Sequence, residues 1–155
     1  MAENIIDALD ASCVRLELTG KRKPEIIGEL VGALASAGRI DDAELVTAQI
    51  LERESLASTG IGGGIAIPHC LSSAAKGTVL GIGRKRAGAR FDAVDKRPVT
   101  LFFLMVGPPG AQHEHLRLLS KLARYLHDPS LKTELLEARS PNDVVAAFAS
   151  REQNR

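Results

Sequence analysis

The chain has no tryptophan, one tyrosine and four phenylalanines, so aromatic residues make up only 3% of it. Surfaces that stack nucleobases or sugar rings need several exposed aromatics, and this composition does not supply them. Charge of one sign is equally scarce. Lys and Arg number 20 against 19 Asp and Glu, a net charge of +1, which gives no electrostatic footprint for nucleic acid. Two cysteines, Cys13 and Cys70, are too few for a disulfide framework and fit a reducing, cytoplasmic compartment. There is no apolar run long enough to cross a bilayer, so membrane insertion is not expected. The start, Met1-Ala2-Glu3-Asn4, is acidic and polar, unlike a signal peptide.

What is present suits a globular domain. With 155 residues and 45% hydrophobic content, the chain can bury a sizeable core. It reads as one domain over 1–155, with the core at about 5–150, and contains no internal repeat, linker or low-complexity tract. Val14, Leu16 and Leu18 alternate with charged neighbours and predict a half-buried strand. Pro24 suits a first helical turn; Ile26, Ile27, Leu30, Val31 and Leu34 supply an apolar face, and Gly38 stands where that helix should end. Asp41 or Asp42 can cap the next helix, whose apolar positions include Ala43, Val46 and Ile50. Val79 to Gly83 and the near-continuous run Val99 to Val106 predict strands, the second buried on both faces. Leu116, Leu119, Leu122, Ala123 and Leu126 repeat at helical spacing. Asp128-Pro129 and Ser140-Pro141 each read as a cap followed by a first-turn proline. The alternation of helices and strands argues for an α/β fold.

The most informative segment is Ser58-Thr59-Gly60-Ile61-Gly62-Gly63-Gly64-Ile65-Ala66-Ile67-Pro68-His69. A glycine-rich loop enters a short strand, Ile65-Ala66-Ile67. Pro68 then fixes its own φ and holds Ile67 extended. His69 is therefore held at a stiff strand end among small residues. Arg53 lies seven residues after Val46 and three after Ile50, so it continues the apolar face of its helix. It reads either as an oriented anion-binding guanidinium or as one half of a surface ion pair, for example with Glu54. His115 falls in the first turn of the helix that begins near Gln112, where an anion is favoured and imidazolium is not. Thr59 and the glycines, Gly60 and Gly64 among them, could offer backbone N–H groups to an anion, or serve only close packing beside His69. The loop is neither a P-loop nor a dinucleotide fingerprint, since no Gly-Lys-Ser/Thr follows and Ile65 stands where the third glycine belongs. His113 does not share a helical face with His115, and His127 suits a helix C-terminus.

The stretch Arg53-Glu-Ser-Leu-Ala-Ser-Thr-Gly-Ile-Gly-Gly-Gly-Ile-Ala-Ile-Pro-His69 resembles the active-site signature of enzyme IIA of the bacterial phosphotransferase system, mannitol/fructose class (type 2). Phe91-Asp-Ala-Val-Asp-Lys-Arg-Pro-Val99 resembles the strand-turn-strand segment of that family. His115-Leu-Arg-Leu-Leu-Ser-Lys-Leu-Ala123 resembles its second histidine helix. The likeness spans nearly the whole chain in order, and departs at Cys70, where the family usually has glycine. It implies a mixed sheet with helices on both sides. It also implies a tele-phosphohistidine carrier role for His69, stabilisation of the phosphoryl group by His115 and Arg53, and an HPr-type phosphocarrier as donor. No cofactor is implied. The wording Gly-Ile-Ala-Ile-Pro-His and Phe-Asp-Ala-Val-Asp is most similar to the nitrogen-regulatory branch, whose outputs are protein partners. A sugar-specific subunit that passes phosphoryl to a IIB domain is the alternative. Two other chemistries use the same residues: a zinc site from the four histidines and Cys70, although the spacings match no standard pattern, and a Cys70 nucleophile beside His69. Against the second, neighbours on an extended chain point to opposite sides.

Overall fold

A computed structural model describes residues 3–153. In chain order the elements are α1 (Ile5–Ala8), β1 (Leu9–Arg15), α2 (Lys23–Ser36), α3 (Ala43–Leu56), β2 (Gly60–Gly62), β3 (Ile65–Ala66), β4 (His69–Leu71), β5 (Val79–Ala89), β6 (Val99–Gly107), α4 (Gln112–Tyr125), α5 (Pro129–Glu137) and α6 (Pro141–Gln153).

The apolar run 99–107 forms the central strand, and eight of its nine residues are buried. On one edge β6 pairs antiparallel with β5, which pairs parallel with β1. On its other edge it pairs parallel with β3, which carries β2 antiparallel. Beyond β3 the same edge of β6 takes β4, with His69 opposite Met105 and Cys70 opposite Val106. The break between β3 and β4 falls at Pro68, which has no N–H to give the ladder. Its carbonyl still accepts from the Met105 N–H at 3.0 Å. The sheet is mixed, as expected.

Each face of this sheet is covered by helices. On one side α2 and α3 pack Ile26, Ile27, Leu30, Val46 and Ile50 against Ala66, Phe102, Leu104 and Val106. On the other, α1, α4, α5 and α6 pack Ile5, Leu118, Leu122, Leu131 and Phe148 against Ile65, Ile67, Phe103 and Met105. Strand alternation assigns the residues: odd positions 65 and 67 face one core, even position 66 the other.

Helix boundaries follow local chemistry. Pro24 sits in the first turn of α2, and Gly38 takes a φ of +72° just past its end, a conformation that favours glycine. Asp42 caps α3 by accepting from the Leu45 N–H at 3.1 Å, and Asp128 caps α5 through the Ser130 N–H at 2.9 Å. Two expectations need correction. The strand anticipated around Val14–Leu18 runs earlier, over Leu9–Arg15. The Leu16 carbonyl is taken by the Arg84 Nε at 3.3 Å, a side chain replacing the ladder partner. The strand beginning at Val79 extends to Ala89, well past Gly83. The one-turn helix α1 had no apolar periodicity to reveal it; its cue is Asn4 followed by Asp7, whose carboxylate accepts from the Asn4 N–H at 2.9 Å. Among the described residues no helix is long and apolar enough to cross a membrane.

Candidate functional site: two histidines at a strand end

The odd-position rule that sends Ile65 and Ile67 toward α4 sends His69 the same way. There its ring meets His115, with centroids 5.6 Å apart and planes inclined by 51°. The His69 Nδ1 lies 2.7 Å from the Ile67 carbonyl oxygen. A carbonyl only accepts, so in the neutral ring Nδ1 carries the proton and Nε2 carries the lone pair. Burial lowers the pKa of His69; the Ile67 carbonyl opposes that, the Arg53 charge adds to it, and the Glu54 charge opposes it. The ring is therefore neutral at pH 7.

His115 comes from the first turn of α4 and is 7% exposed. Neither of its ring nitrogens has a hydrogen-bond partner among the described residues. Buried polar atoms are seldom left so. Burial first, then the neighbouring His69, push its pKa down to about 4, against the pull of Glu114. The ring packs over Gly107: a Cβ there would stand 3.3 Å from the His115 Nδ1 and 3.2 Å from the Thr78 Oγ1, so any larger residue would press on the imidazole. His113, on the same helix, is exposed and points elsewhere, and His127 is exposed beyond the helix end.

Arg53 is half-buried in the last turn of α3. It donates from Nη1 to the Ala57 carbonyl at 3.0 Å, and its charge reaches His69. It does not pair with Glu54. That carboxylate is 2% exposed and pairs with Lys23 at 3.0 Å. It also accepts from the Thr59 N–H at 2.9 Å and from the Thr59 hydroxyl. Glu54 was not anticipated as part of the site. Its signal was available: positions 46, 50 and 54 are four apart, so the carboxylate continues the Val46–Ile50 stripe as directly as Arg53 does.

Of the two readings of the glycine-rich loop, an anion cradle or a conformational role, its contacts favour the second. The Thr59 N–H is taken by Glu54, the Gly60 N–H by the Ser58 hydroxyl at 3.0 Å, and the Gly63 N–H by Asp95 at 3.0 Å. Gly62, Gly63 and Gly64 all have positive φ and form the turn of the β2–β3 hairpin. Lys132 holds the Gly63 carbonyl, and the Gly64 carbonyl accepts from the Thr100 and Leu101 N–H groups. Five residues of extended chain, about 16 Å, separate this turn from His69. Gly64 thus shapes the hairpin and does not face the imidazoles. Thr59 stays near them through its carbonyl, which accepts from the Ile67 N–H at 3.0 Å.

Cys70 points to the opposite core, packing against the α2–α3 side. Burial pushes its thiol up to about 12, so it stays protonated, and the pairing of Cys70 with His69 as nucleophile and base is not formed. Among the described residues, no three His, Cys, Asp or Glu side chains are placed to hold a metal ion. What the arrangement can do is present a neutral imidazole nitrogen as a nucleophile, beside a second neutral imidazole able to donate one N–H.

The fold has counterparts in known proteins. The chain is 34% identical over 141 residues to the fructose-specific EIIABC component of Bacillus subtilis, a match covering 91% of this chain and only 22% of that protein. It is 35% identical over 150 residues to the fructose-specific EIIA component of Haloferax volcanii, covering 93% and 97%. Among solved structures, the nitrogen regulatory protein IIA-Ntr of Neisseria meningitidis superposes with a TM-score of 0.86 at 32% identity, covering 93% of this chain and 98% of that one. The sequence model of the family described as "Phosphoenolpyruvate-dependent sugar phosphotransferase system, EIIA 2" matches residues 7–151, and the chain belongs to that family.

Proposed function

We propose that the protein is a cytoplasmic phosphohistidine carrier. His69 accepts a phosphoryl group at Nε2 from an HPr-type phosphocarrier, and regulatory partners read its phosphorylation state. The observation that carries this is the tautomer: the Ile67 carbonyl at 2.7 Å from Nδ1 leaves Nε2 as the nucleophilic nitrogen. In the transfer, the Nε2 lone pair forms the new P–N bond. The bond between phosphorus and the donor's histidine nitrogen breaks, and its electron pair returns to the donor. Positive charge develops on the attacking ring, and the carbonyl at Nδ1–H stabilises it.

Such a reaction asks the protein mainly for alignment and charge stabilisation. His115, buried with both nitrogens unpaired, is suited to donate one N–H to a phosphoryl oxygen. Neutral at pH 7, the ring has one N–H to offer and one lone-pair nitrogen. Arg53 supplies the positive charge. Its bond to the Ala57 carbonyl is a single contact, leaving donors of the guanidinium fork for the phosphoryl oxygens. Phosphorylation then adds about −1.5 to −2 charge at one point of the surface, enough to change which proteins bind there.

The regulatory reading rests on the likeness to the nitrogen-regulatory sequences and is supported by the Neisseria IIA-Ntr neighbour. Identity of 35% to the Haloferax fructose-specific EIIA favours the second reading, a sugar-specific subunit that hands phosphoryl to a IIB domain. Capture from lysate with phosphorylated and unphosphorylated protein, alongside an assay of transfer to a fructose-type IIB domain, separates them. Different partner sets without transfer to IIB support regulation. Identical sets with rapid transfer assign the sugar-specific role.

A further inference from the structure

Glu54 sits where a carboxylate is poorly placed. It is 2% exposed and lies in the last turn of α3, at the negative end of the helix dipole. An apolar residue would continue the Val46–Ile50 stripe without the cost of burying a charge. Lys23 offsets part of that cost: its Nζ is 3.0 Å from Glu54 Oε2, 3.7 Å from Asp92, and 4.6 Å from the centre of the Phe91 ring. The carboxylate's other oxygen is spent on a loop. Oε1 accepts both the N–H and the hydroxyl of Thr59. The same loop is fixed at its start by Arg53 on the Ala57 carbonyl, and in the middle by the Ser58 hydroxyl on the Phe91 carbonyl at 2.6 Å.

Thr59 passes the constraint on. Its carbonyl receives the Ile67 N–H at 3.0 Å, and the carbonyl of that same Ile67 holds the His69 Nδ1 at 2.7 Å. A continuous series of hydrogen bonds therefore runs Lys23–Glu54–Thr59–Ile67–His69. We infer that Glu54 is a positioning residue. By anchoring Thr59 it fixes the place of Ile67 through that residue's N–H, and the Ile67 carbonyl, in the next peptide unit, selects the His69 tautomer with Nδ1 protonated and Nε2 free. The functional weight of this inference rests on His69 being the phosphoryl acceptor. Its structural content does not.

The test uses the whole protein with 15N-labelled histidine. The His69 tautomer is read by NMR at a pH where the ring is neutral, and the rate of phosphorylation from the HPr-type donor is measured in parallel. Wild type should show one tautomer, Nδ1–H. Glu54→Leu, which keeps an apolar helix end but frees Thr59, should populate both tautomers and slow phosphorylation about tenfold or more, as small misplacements of reacting groups do. Glu54→Gln retains an acceptor for Thr59 and should restore the single tautomer and most of the rate. A Glu54→Leu protein with wild-type tautomer and rate overturns the inference. So does a slow Glu54→Leu protein whose tautomer is unchanged, since loosening of the fold alone would produce that. If Glu54→Leu does not fold, Thr59→Val decides: a detectable second tautomer and a slower rate are expected, and wild-type behaviour overturns the proposal. If wild type itself is not phosphorylated, the carrier reading fails while the tautomer measurements still test Glu54.

Discussion

Replacing His115 by leucine should make the protein more stable and much less active. The ring is 7% exposed and neither nitrogen has a partner. An unsatisfied buried polar group costs about 1–3 kcal/mol, and leucine of similar volume removes it while keeping the contacts over Gly107. In a domain of this size each kcal/mol moves the melting temperature by about 2–4 °C, so Tm should rise by several degrees. The acid limb of the stability curve should change as well. Burial pushes the pKa of His115 in the folded protein down to about 4, from the ordinary 6.5 of a free imidazole. Below 6.5 the unfolded chain binds a proton that the folded ring refuses, so stability falls as the pH drops from 6.5 toward 4. That loss is worth about 3 kcal/mol at most, and the leucine variant should lack it. The transfer rate should move the other way. A preorganised donor to a charged transition state is worth about 2.7–4 kcal/mol, or 10²–10³ in rate. Melting curves at pH 7 and pH 5, with rapid-quench transfer from the HPr-type donor, measure all three quantities. A variant that melts below wild type and transfers at the wild-type rate would refute the reasoning, because the ring would then be a packing residue.

Arg53→Ala should slow transfer by about 10²-fold if its guanidinium acts as a charge-stabilising donor, with little change in Tm, as only the bond to Ala57 is lost; a wild-type rate in the same quench assay contradicts this. Cys70→Ala should leave transfer unchanged, and iodoacetamide at pH 8 should modify Cys70 of the folded protein slowly, since its thiol is pushed up to about 12; rapid alkylation followed by mass mapping would contradict that. Arg84, 5% exposed, donates to the Leu16, Leu135, Leu136 and Ala138 carbonyls, so Arg84→Met should destabilise the domain by about 3 kcal/mol or more by stranding those acceptors, measured by urea unfolding, while the transfer rate under native conditions stays at wild type.

Much of this architecture was legible because local chemistry and tertiary structure agree. Asp42, Asp128 and Ser140 cap their helices, Pro24, Pro129 and Pro141 open theirs, and the run 99–106 is apolar because both faces of β6 are buried. The pairing of His69 with His115 was accessible only through family likeness; they lie 46 positions apart in the chain, and no periodicity links a strand end to a helix start. Glu54 was missed because a charged residue in a helix is read by default as solvated. Only the fold shows that Lys23 and Thr59 meet it. The glycines left two readings open, an anion cradle and a conformational role. Positive φ at Gly62, Gly63 and Gly64 serves a hairpin turn, and the register of β3 and β4 along β6 sets that turn at the far end from His69. Strand order itself is a long-range property that the spacing of strands along the chain does not encode.

The function proposed for this protein depends on Nε2 of His69 taking the phosphoryl group. Incubation of wild type and His69→Ala with phosphoenolpyruvate, enzyme I and an HPr-type carrier, followed by intact mass and by 15N NMR of the labelled histidines, tests it directly. Wild type should carry one acid-labile, base-stable phosphoryl group, attached at Nε2 with Nδ1 still protonated, and a folded His69→Ala protein should carry none. Undiminished labelling of His69→Ala, or a phosphoryl group on Nδ1, would contradict it.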